Sequence, residues 1–342
     1  GQKLTSDDVI FSLQKLQDPQ TGSPYFKNWQ GVNISRTSEL EAQFTLSAPY
    51  AFFPESLRGL YVIPKHLFAD TPPANWNLSD YNLKPVGSGP YKFKSYEKRG
   101  DGFITAYHLE PNENYFGAKP YIENFDVLFF AKSEDILKSF NTGQIDAVAD
   151  IDAETLTGIK RTYNLEKFFM PNYYAVFFNQ GQNPVLGESV VREALSAAID
   201  RELLVKDTLL GYGLTTSGPI PKEFSSANQA ENRYDSAYAA SILDDAGWKT
   251  GEDGTRTKPG KSGAKKLSIK LMVPNISFLV KTAEILKSGW EKIGVSTELI
   301  VLPPEEIISG PIKNRDYEAI LFGNLLGPND DLYAFWHSSE RY

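Results

Sequence analysis

Side chains that could perform catalysis are few in this sequence and lie far apart. The three histidines, His66, His108 and His337, are widely separated, and none has a carboxylate at the spacing of a metal site. There are no cysteines, which excludes disulfides, thiolate ligands and cysteine nucleophiles. No G-x-S-x-G motif is present, so a serine hydrolase would lack its usual nucleophile turn. The sequence predicts no catalytic residue, no metal site and no cofactor.

The charged residues likewise indicate neither catalysis nor nucleic-acid binding. The acidic pairs Asp7-Asp8, Glu305-Glu306 and Asp330-Asp331 are adjacent in sequence, a pattern typical of helix caps and solvated surface. A net charge of −8 argues against a nucleic-acid partner, because binding phosphates requires clustered Lys and Arg. The one basic cluster, residues 258–266, contains Pro and Gly and predicts a solvated hairpin tip. The GSGP at 87–90 is no phosphate loop, since no Lys-Ser/Thr follows it.

Composition describes an ordinary globular chain with many aromatic residues. A length of 342 residues predicts two or three lobes. Aromatic residues make up 13% of the chain, which suits either a wide ligand cleft or a large aromatic core. No apolar run approaches the roughly 18 residues that a membrane span requires.

The elements that must position any site fall into three segments. Up to about residue 84, a helix capped by Thr5 or Ser6 is followed by extended pieces, which indicates a small α+β lobe. The middle segment predicts strands at 91–96, 104–109 and 125–130. A helix at 133–140 and a strand at 145–148 then predict a parallel crossover.

The last segment, from about Tyr174, predicts an open α/β sheet. Residues 188–213 form two abutting helices, the second capped by Asp200, and another helix ends at Gly247. Apolar residues alternate strictly at 267–273 and again at 295–301, with a helix between them and a third strand at 317–321. This β-α-β-α-β order predicts a ligand crevice at the carboxyl ends of the strands.

Several ordered motifs resemble one family. They are KPVGSGPYKF at 84–93, NENYFGAKPY at 112–121, SFNTGQIDAVA at 139–149, VVREALSAAIDRELLVKDTLLGYG at 190–213 and ASILDDAGW at 240–248. Singly each motif is weak, but in this order and spacing they resemble the extracellular solute-binding proteins of family 5. These are the oligopeptide-, dipeptide- and nickel-type receptors of ABC importers, and the resemblance covers essentially the whole chain.

The resemblance implies an α/β, periplasmic-binding-protein-like type II fold, in the family 5 variant with an extra small α+β lobe. It divides the chain into that extra lobe at 1–85, part of the N-terminal α/β lobe at 86–173 and the C-terminal α/β lobe at 174–342. Family members carry further residues on both sides of the matching region. The chain is therefore expected to be a fragment of the family fold, with the signal peptide upstream and the C-terminal lobe truncated.

The resemblance also implies which residues would bind ligand, between the lobe containing GSGPY and the C-terminal lobe. Carried over by motif, they are Tyr25, Trp29, Asp150, Phe169, Tyr174, Gly323, Asn324 and Leu326. Each has a structural alternative: Tyr174 could be a packing tyrosine, Asp150 a solvated carboxylate, and Trp29 buried core.

One departure from the family pattern leaves the ligand open. Oligopeptide binders of this family place an aspartate in the loop after the last strand, where it pairs with the α-ammonium of the peptide. The matching position here is Leu326, with Asn324 two residues before it and Asp330 four after it. Either the amine is held elsewhere, the alignment is shifted, or the ligand has no free amine. The last option keeps oligosaccharides open.

The resemblance therefore implies a non-enzymatic, monomeric receptor that passes a peptide or similar small solute to ABC permease subunits. It would work outside the cytoplasm, in the periplasm or at the outer face of the cytoplasmic membrane, held there by a lipid anchor upstream of this chain. The alternatives are a receptor for oligosaccharides and a solute-sensing input domain of a regulatory protein. A glycan hydrolase is the least favoured, since it would need Asp150 and Asp330 about 5–9 Å apart.

Overall fold

The computed structural model describes residues 1–23, 25–149, 151–170, 172–219, 234–260 and 263–326. The chain divides into two compact units, Gly1–Ile145 and Asp146–Tyr342. The predicted boundaries near residues 86 and 174 stay predictions.

The first unit combines a capped helix, a hairpin and a three-stranded sheet. Its helices are α1 (Ser6–Leu16), α2 (Phe53–Ser56), α3 (Lys65–Phe68) and α4 (Ser133–Asn141). Its strands are β1 (Val32–Ser38), β2 (Glu41–Leu46), β3 (Tyr91–Lys98), β4 (Ile104–Pro111) and β5 (Phe125–Leu128). Strands β1 and β2 form an antiparallel pair, and β3, β4 and β5 form an antiparallel sheet in that order.

Helix α1 begins where the sequence predicts, and its start is tied to a distant segment. The Asp8 carboxylate accepts hydrogen bonds from the backbone N–H of Thr5 at 2.9 Å and of Lys65 at 2.9 Å. Burial alone would raise the pKa of Asp8, but these donors more than offset it, and the pKa lies below its usual range. Leu13 of the same helix is fully buried against Trp29 and Val32.

The predicted crossover at the end of this unit is wrong. Helix α4 forms, but residues 145–148, which the structure describes, form no strand. An extended segment becomes a strand only when a neighbouring strand pairs with its backbone. The apolar pattern at these positions could not show whether such a neighbour exists.

A histidine links all three strands of the β3–β4–β5 sheet. Nδ1 of His108 on β4 donates to the Asp126 carboxylate on β5 at 2.8 Å, and Nε2 lies 3.5 Å from the Glu97 carboxylate on β3. The hydrogen bond to Asp126 is the main cause of the raised pKa of His108, opposed by burial and assisted by Glu97. Both carboxylates therefore favour the imidazolium.

Protonation of His108 is expected to stabilise the first unit. Because its pKa is raised on folding, this contribution is fully present below the unfolded value of about 6.5 and is lost as pH rises through the folded value. Unfolding by denaturant at a series of pH values should show stability falling across that window, and a His108→Gln variant should show a flatter profile. A wild-type profile identical to that of the variant would contradict the expectation.

The second unit is built around a four-stranded mixed sheet. Its helices are α5 (Ala153–Leu156), α6 (Ser189–Ala197), α7 (Arg201–Leu209), α8 (Ser236–Asp245), α9 (Ser277–Lys292) and α10 (Pro304–Ile307). Its strands are β6 (Asn172–Phe178), β7 (Lys249–Thr250), β8 (Arg256–Gly260), β9 (Gly263–Lys266), β10 (Ser268–Pro274), β11 (Ser296–Leu302) and β12 (Ala319–Leu325). The main sheet has the order β11-β10-β12-β6.

The pairing confirms the predicted β-α-β-α-β order. Strand β10 runs parallel to both β11 and β12, while β6 pairs antiparallel with β12. On one face, Leu271 and Val273 pack with Trp290 of α9 in the main core. On the other face, Met272 and Ile320 pack with Ile307 of α10. Strand β10 is therefore buried on both sides over residues 271–274, while exposed Ser268 and Lys270 alternate with buried residues at its start.

The helix pair and the basic hairpin are also confirmed. Asp200 accepts a hydrogen bond from the N–H of Leu203 at 3.0 Å, which caps α7 as predicted. Helix α8 is followed by Gly247, whose φ of +87° is in the left-handed region. Strands β8 and β9 pair antiparallel and carry the basic cluster.

Candidate functional site

The carboxyl ends of the parallel strands define one edge of the sheet in the second unit. Strands β10, β11 and β12 all end there, and antiparallel β6 begins there. The register places Gly323 opposite Tyr174 and Asn324 opposite Tyr173. Three residues predicted for the site, Tyr174, Gly323 and Asn324, are therefore neighbours at the edge where open α/β sheets bind ligands.

Tyr174 lies directly over the backbone of Gly323. A Cβ atom added to Gly323 would come within 2.7 Å of Cε1 of the tyrosine ring. The ring can therefore occupy this position only when residue 323 is glycine. Phe278, at the start of α9, packs edge-to-face against the same ring with centroids 5.0 Å apart. The ring is thus held on two sides, yet Tyr174 stays 45% exposed.

Asn324 faces the other side of the sheet. Its Nδ2 donates to the hydroxyl of Tyr173 at 3.2 Å, and Tyr173 is buried. Because successive residues of a strand point to opposite faces, Tyr174 and Gly323 share the α9 side while Tyr173 and Asn324 share the opposite side. The Asn324 amide therefore ties the two strand ends together beneath the Tyr174 ring.

Two other predicted residues flank this edge in the chain. Phe169, just before β6, is 67% exposed and can offer its ring to a ligand. Leu326, just after β12, is only 5% exposed. A buried leucine at that position cannot replace the carboxylate that the resemblance leads one to expect there.

The remaining predicted residues lie in the first unit or outside the described residues. Tyr25 and Trp29 belong to the first unit, where Tyr25 is exposed and Trp29 is 3% exposed. Trp29 packs edge-to-face against Phe53, with centroids 6.2 Å apart, in the small core around Leu13. The structure thus uses Trp29 as core. Asp150 lies outside the described residues, as does Asp330.

Sequence reasoning missed Phe278 and Tyr173. Phe278 follows β10 closely and begins a helix, which is the position where α/β sheets commonly place ligand-contacting residues. That signal was present in the sequence. The Tyr173–Asn324 bond had no such signal, because it joins residues far apart in the chain.

A paired carboxylate lies at the start of helix α9, the helix that follows β10 at this edge. Glu154 of α5 accepts hydrogen bonds from the Lys281 ammonium at 3.1 Å and from the Ser277 hydroxyl at 3.2 Å, both on α9. The hydrogen bond from Lys281, then its positive charge, holds the pKa of Glu154 below its usual range. The Glu154 carboxylate is therefore ionised and paired with α9.

Metal-binding clusters and membrane-spanning helices are considered only among the residues that the structure describes. Among them, no group of three or more His, Asp or Glu side chains could hold a metal ion. Nor is any described helix both long and apolar enough to cross a membrane.

Comparison with known proteins gives consistent matches. The protein family described as "Bacterial extracellular solute-binding proteins, family 5 Middle" matches this chain over residues 1–341. The chain is 27% identical over 370 residues to the oligopeptide-binding protein AppA of Bacillus subtilis, covering 99% of this chain and 63% of AppA. It therefore spans less than two thirds of that relative.

Two solved structures share the fold. AppA from Bacillus subtilis in complex with a nonapeptide matches with a TM-score of 0.72 and 24% identity, over 99% of this chain and 68% of that one. NikZ from Campylobacter jejuni in complex with Ni(L-His) matches with a TM-score of 0.72 and 29% identity, over 94% of this chain and 62% of that one. The predicted type II periplasmic-binding-protein-like fold is confirmed. Because the family match extends over residues 1–341, the chain belongs to family 5 of the bacterial extracellular solute-binding proteins.

Proposed function

We propose that this protein is the substrate-binding receptor of an ABC importer, which captures a peptide or similar solute and delivers it to a membrane permease. The observation that carries the proposal is the Tyr174 ring, held over Gly323 and still half-exposed at the carboxyl edge of the sheet. A fixed aromatic ring loses little conformational entropy when it contacts a ligand, which suits a binding site.

Binding without turnover fits both the family and the residues at this edge. Family 5 members are transport receptors, and the side chains gathered here are aromatic, amide and glycine. A tyrosine ring can pack against an apolar side chain, and a peptide backbone can use nearby amide and hydroxyl groups. In this proposal the protein acts as a monomer outside the cytoplasm, in the periplasm or at the outer face of the membrane through a lipid anchor.

Peptide is the ligand class with the best support. AppA of Bacillus subtilis is an oligopeptide-binding protein by name, and its solved structure holds a nonapeptide. The NikZ structure holds Ni(L-His), a metal complex of an amino acid, so the family fold also accepts smaller ligands. The proposal therefore takes peptide as the ligand and makes the metal complex and oligosaccharides arms of its test.

A cognate peptide is expected to raise the melting temperature of the purified protein. At about 100 times Kd, binding contributes roughly 2.7 kcal/mol, which corresponds to a rise of several degrees. Pools of dipeptides, tripeptides and nonapeptides, a pool of oligosaccharides, and Ni(II) with L-histidine would be compared by melting shift. Chromatography of the mixtures after incubation would detect any product.

A matched pair of variants links the shift to the site. Tyr174→Ala should weaken the peptide-induced shift. Tyr238→Ala removes an equally exposed tyrosine, 44% against 45%, from helix α8 and should leave the shift unchanged. A shift with oligosaccharides alone would overturn peptide as the ligand class. Product formation from any pool would overturn the receptor function.

A further inference from the structure

A long irregular segment precedes strand β6. Residues 157–170, here called the strap, form neither helix nor strand, although the structure describes all of them. The strap connects α5 to β6, the strand that carries Tyr174. Irregular segments of this length inside compact domains are uncommon and are usually either functional loops or linkers.

The start of the strap is fixed by polar contacts of α5. Asp152 caps this helix by accepting from the N–H of Thr155 at 2.7 Å and from its hydroxyl at 2.8 Å. Glu154 then reaches Ser277 and Lys281 on the first turns of α9. A helix as short as α5 has little stability of its own, so its position depends on such contacts.

The end of the strap is fixed differently and leaves apolar groups exposed. The Lys167 ammonium lies 4.7 Å from the centroid of the Tyr212 ring, a cation–π contact. The next three side chains, Phe168, Phe169 and Met170, are 83%, 67% and 59% exposed. Consecutive exposed apolar residues are unfavourable on a protein surface unless a function requires them.

We propose that Glu154 is a positioning residue: by binding Ser277 and Lys281 it fixes α5, and with it the start of the strap, to helix α9, so that the strap presents residues 168–170 as an apolar surface for the solute. The solute part of this inference rests on the proposed receptor function. The anchoring part does not. The two parts are measured separately below.

Loss of the Glu154 anchor should appear as local opening and not as global unfolding. Glu154 and Lys281 are largely exposed, and exposed ion pairs shift an equilibrium by about two- to fivefold. Hydrogen exchange of the full chain, followed by mass spectrometry, should therefore show backbone amides of 157–170 exchanging about two to five times faster in Glu154→Gln. The melting temperature should stay nearly unchanged.

Salt and a matched control separate anchoring from a general effect. The Debye length falls from about 30 Å at 0.01 M salt to about 3 Å at 1 M, so the difference between variant and wild type should shrink at high salt. Glu291→Gln breaks a comparable pair with Lys287, at 3.7 Å on the same helix, and should leave the strap unchanged. Exchange of 157–170 that is equal in Glu154→Gln and wild type would overturn the anchor.

Exchanging the two charges of the Glu154–Lys281 pair should restore the ion pair. Glu154→Lys and Lys281→Glu should each speed exchange in the strap, and combining them should slow it again because the ion pair is restored with opposite polarity. A double variant that exchanges as fast as the single variants would contradict a role for the pair.

The solute part uses the same peptide pools. Peptides that stabilise the wild type should slow exchange at 168–170, and Glu154→Gln should show a smaller melting shift. Unchanged exchange at 168–170 in the presence of a stabilising peptide would overturn the solute part. If no pool stabilises the wild type, the receptor function fails, and exchange without ligand still decides whether Glu154 anchors the strap.

Discussion

Replacing Arg256 by methionine is expected to lower the free energy of unfolding by about 3 kcal/mol, because two buried carbonyl oxygens lose their hydrogen-bond donor at roughly 1–3 kcal/mol each. The Arg256 guanidinium donates to the carbonyl oxygens of Trp248 at 2.6 Å and Ile293 at 2.7 Å. It also donates to the Asp244 carboxylate at 2.8 Å. Methionine keeps the apolar stem but leaves both carbonyls unpaired beside residues that are fully buried.

The measurement is denaturant unfolding followed by tryptophan fluorescence, with melting temperature as a second readout. A loss of about 3 kcal/mol corresponds to a drop of roughly 6–12 °C for a unit of this size. Lys249→Met is the matched control, because the Lys249 ammonium is 3.9 Å from the same carboxylate and its side chain is 69% exposed. That change should cost less than about 0.5 kcal/mol. Equal stabilities of the two variants would show that the buried carbonyls tolerate the loss of Arg256.

Arg256 also shows where sequence reasoning ends. The alternation of apolar residues along β10 is a local property, and it predicted a strand in a β-α-β-α-β order. The partners of Arg256 come from the end of α8, the loop after it and the end of α9. Nothing in the local pattern around residue 256 indicates three such partners. In sequence it lies two residues before the basic stretch at 258–266, which predicts only a hairpin.

Strand pairing shows the same difference between what a local pattern predicts and what distant segments decide. Parallel pairing of β10 with β11 follows from the strand-helix-strand order, because the crossover fixes the direction. Antiparallel pairing of β6 with β12 joins segments separated by most of the second unit, and no turn links them. At residues 145–148 the local pattern predicts a strand that does not form. Local periodicity gives the tendency of a segment, while the neighbouring strand decides the outcome.

For the candidate site, the family resemblance supplied residues that periodicity could not. It placed Tyr174, Gly323 and Asn324 in one site, and the register of β6 and β12 makes them neighbours. It also included Trp29, which the structure uses as core. Motif matching transfers positions without their surroundings, so a buried residue and an exposed one look alike.

Replacing Gly323 by alanine is expected to weaken peptide binding by about tenfold, which corresponds to about 1.4 kcal/mol, within the usual range for an aromatic contact. The added Cβ would lie 2.7 Å from Cε1 of Tyr174, so the ring must move. It cannot move freely, because Phe278 packs against it. Glycine is required here because of the space that a side chain would occupy and not because of backbone conformation, since the φ of Gly323 is not positive. The affinity is measured from melting shifts over a range of concentrations of a stabilising peptide.

A double-variant cycle shows whether the effect passes through the ring. In a Tyr174→Ala background the obstructing ring is gone, so Gly323→Ala should then change the affinity by less than about twofold. Gly187→Ala is the control, because no atom lies within 4 Å of the Cβ it would add. A tenfold loss in both backgrounds would mean that alanine disturbs strand β12 itself. A loss confined to the background that keeps Tyr174 would establish that Gly323 contributes to binding by leaving room for that ring.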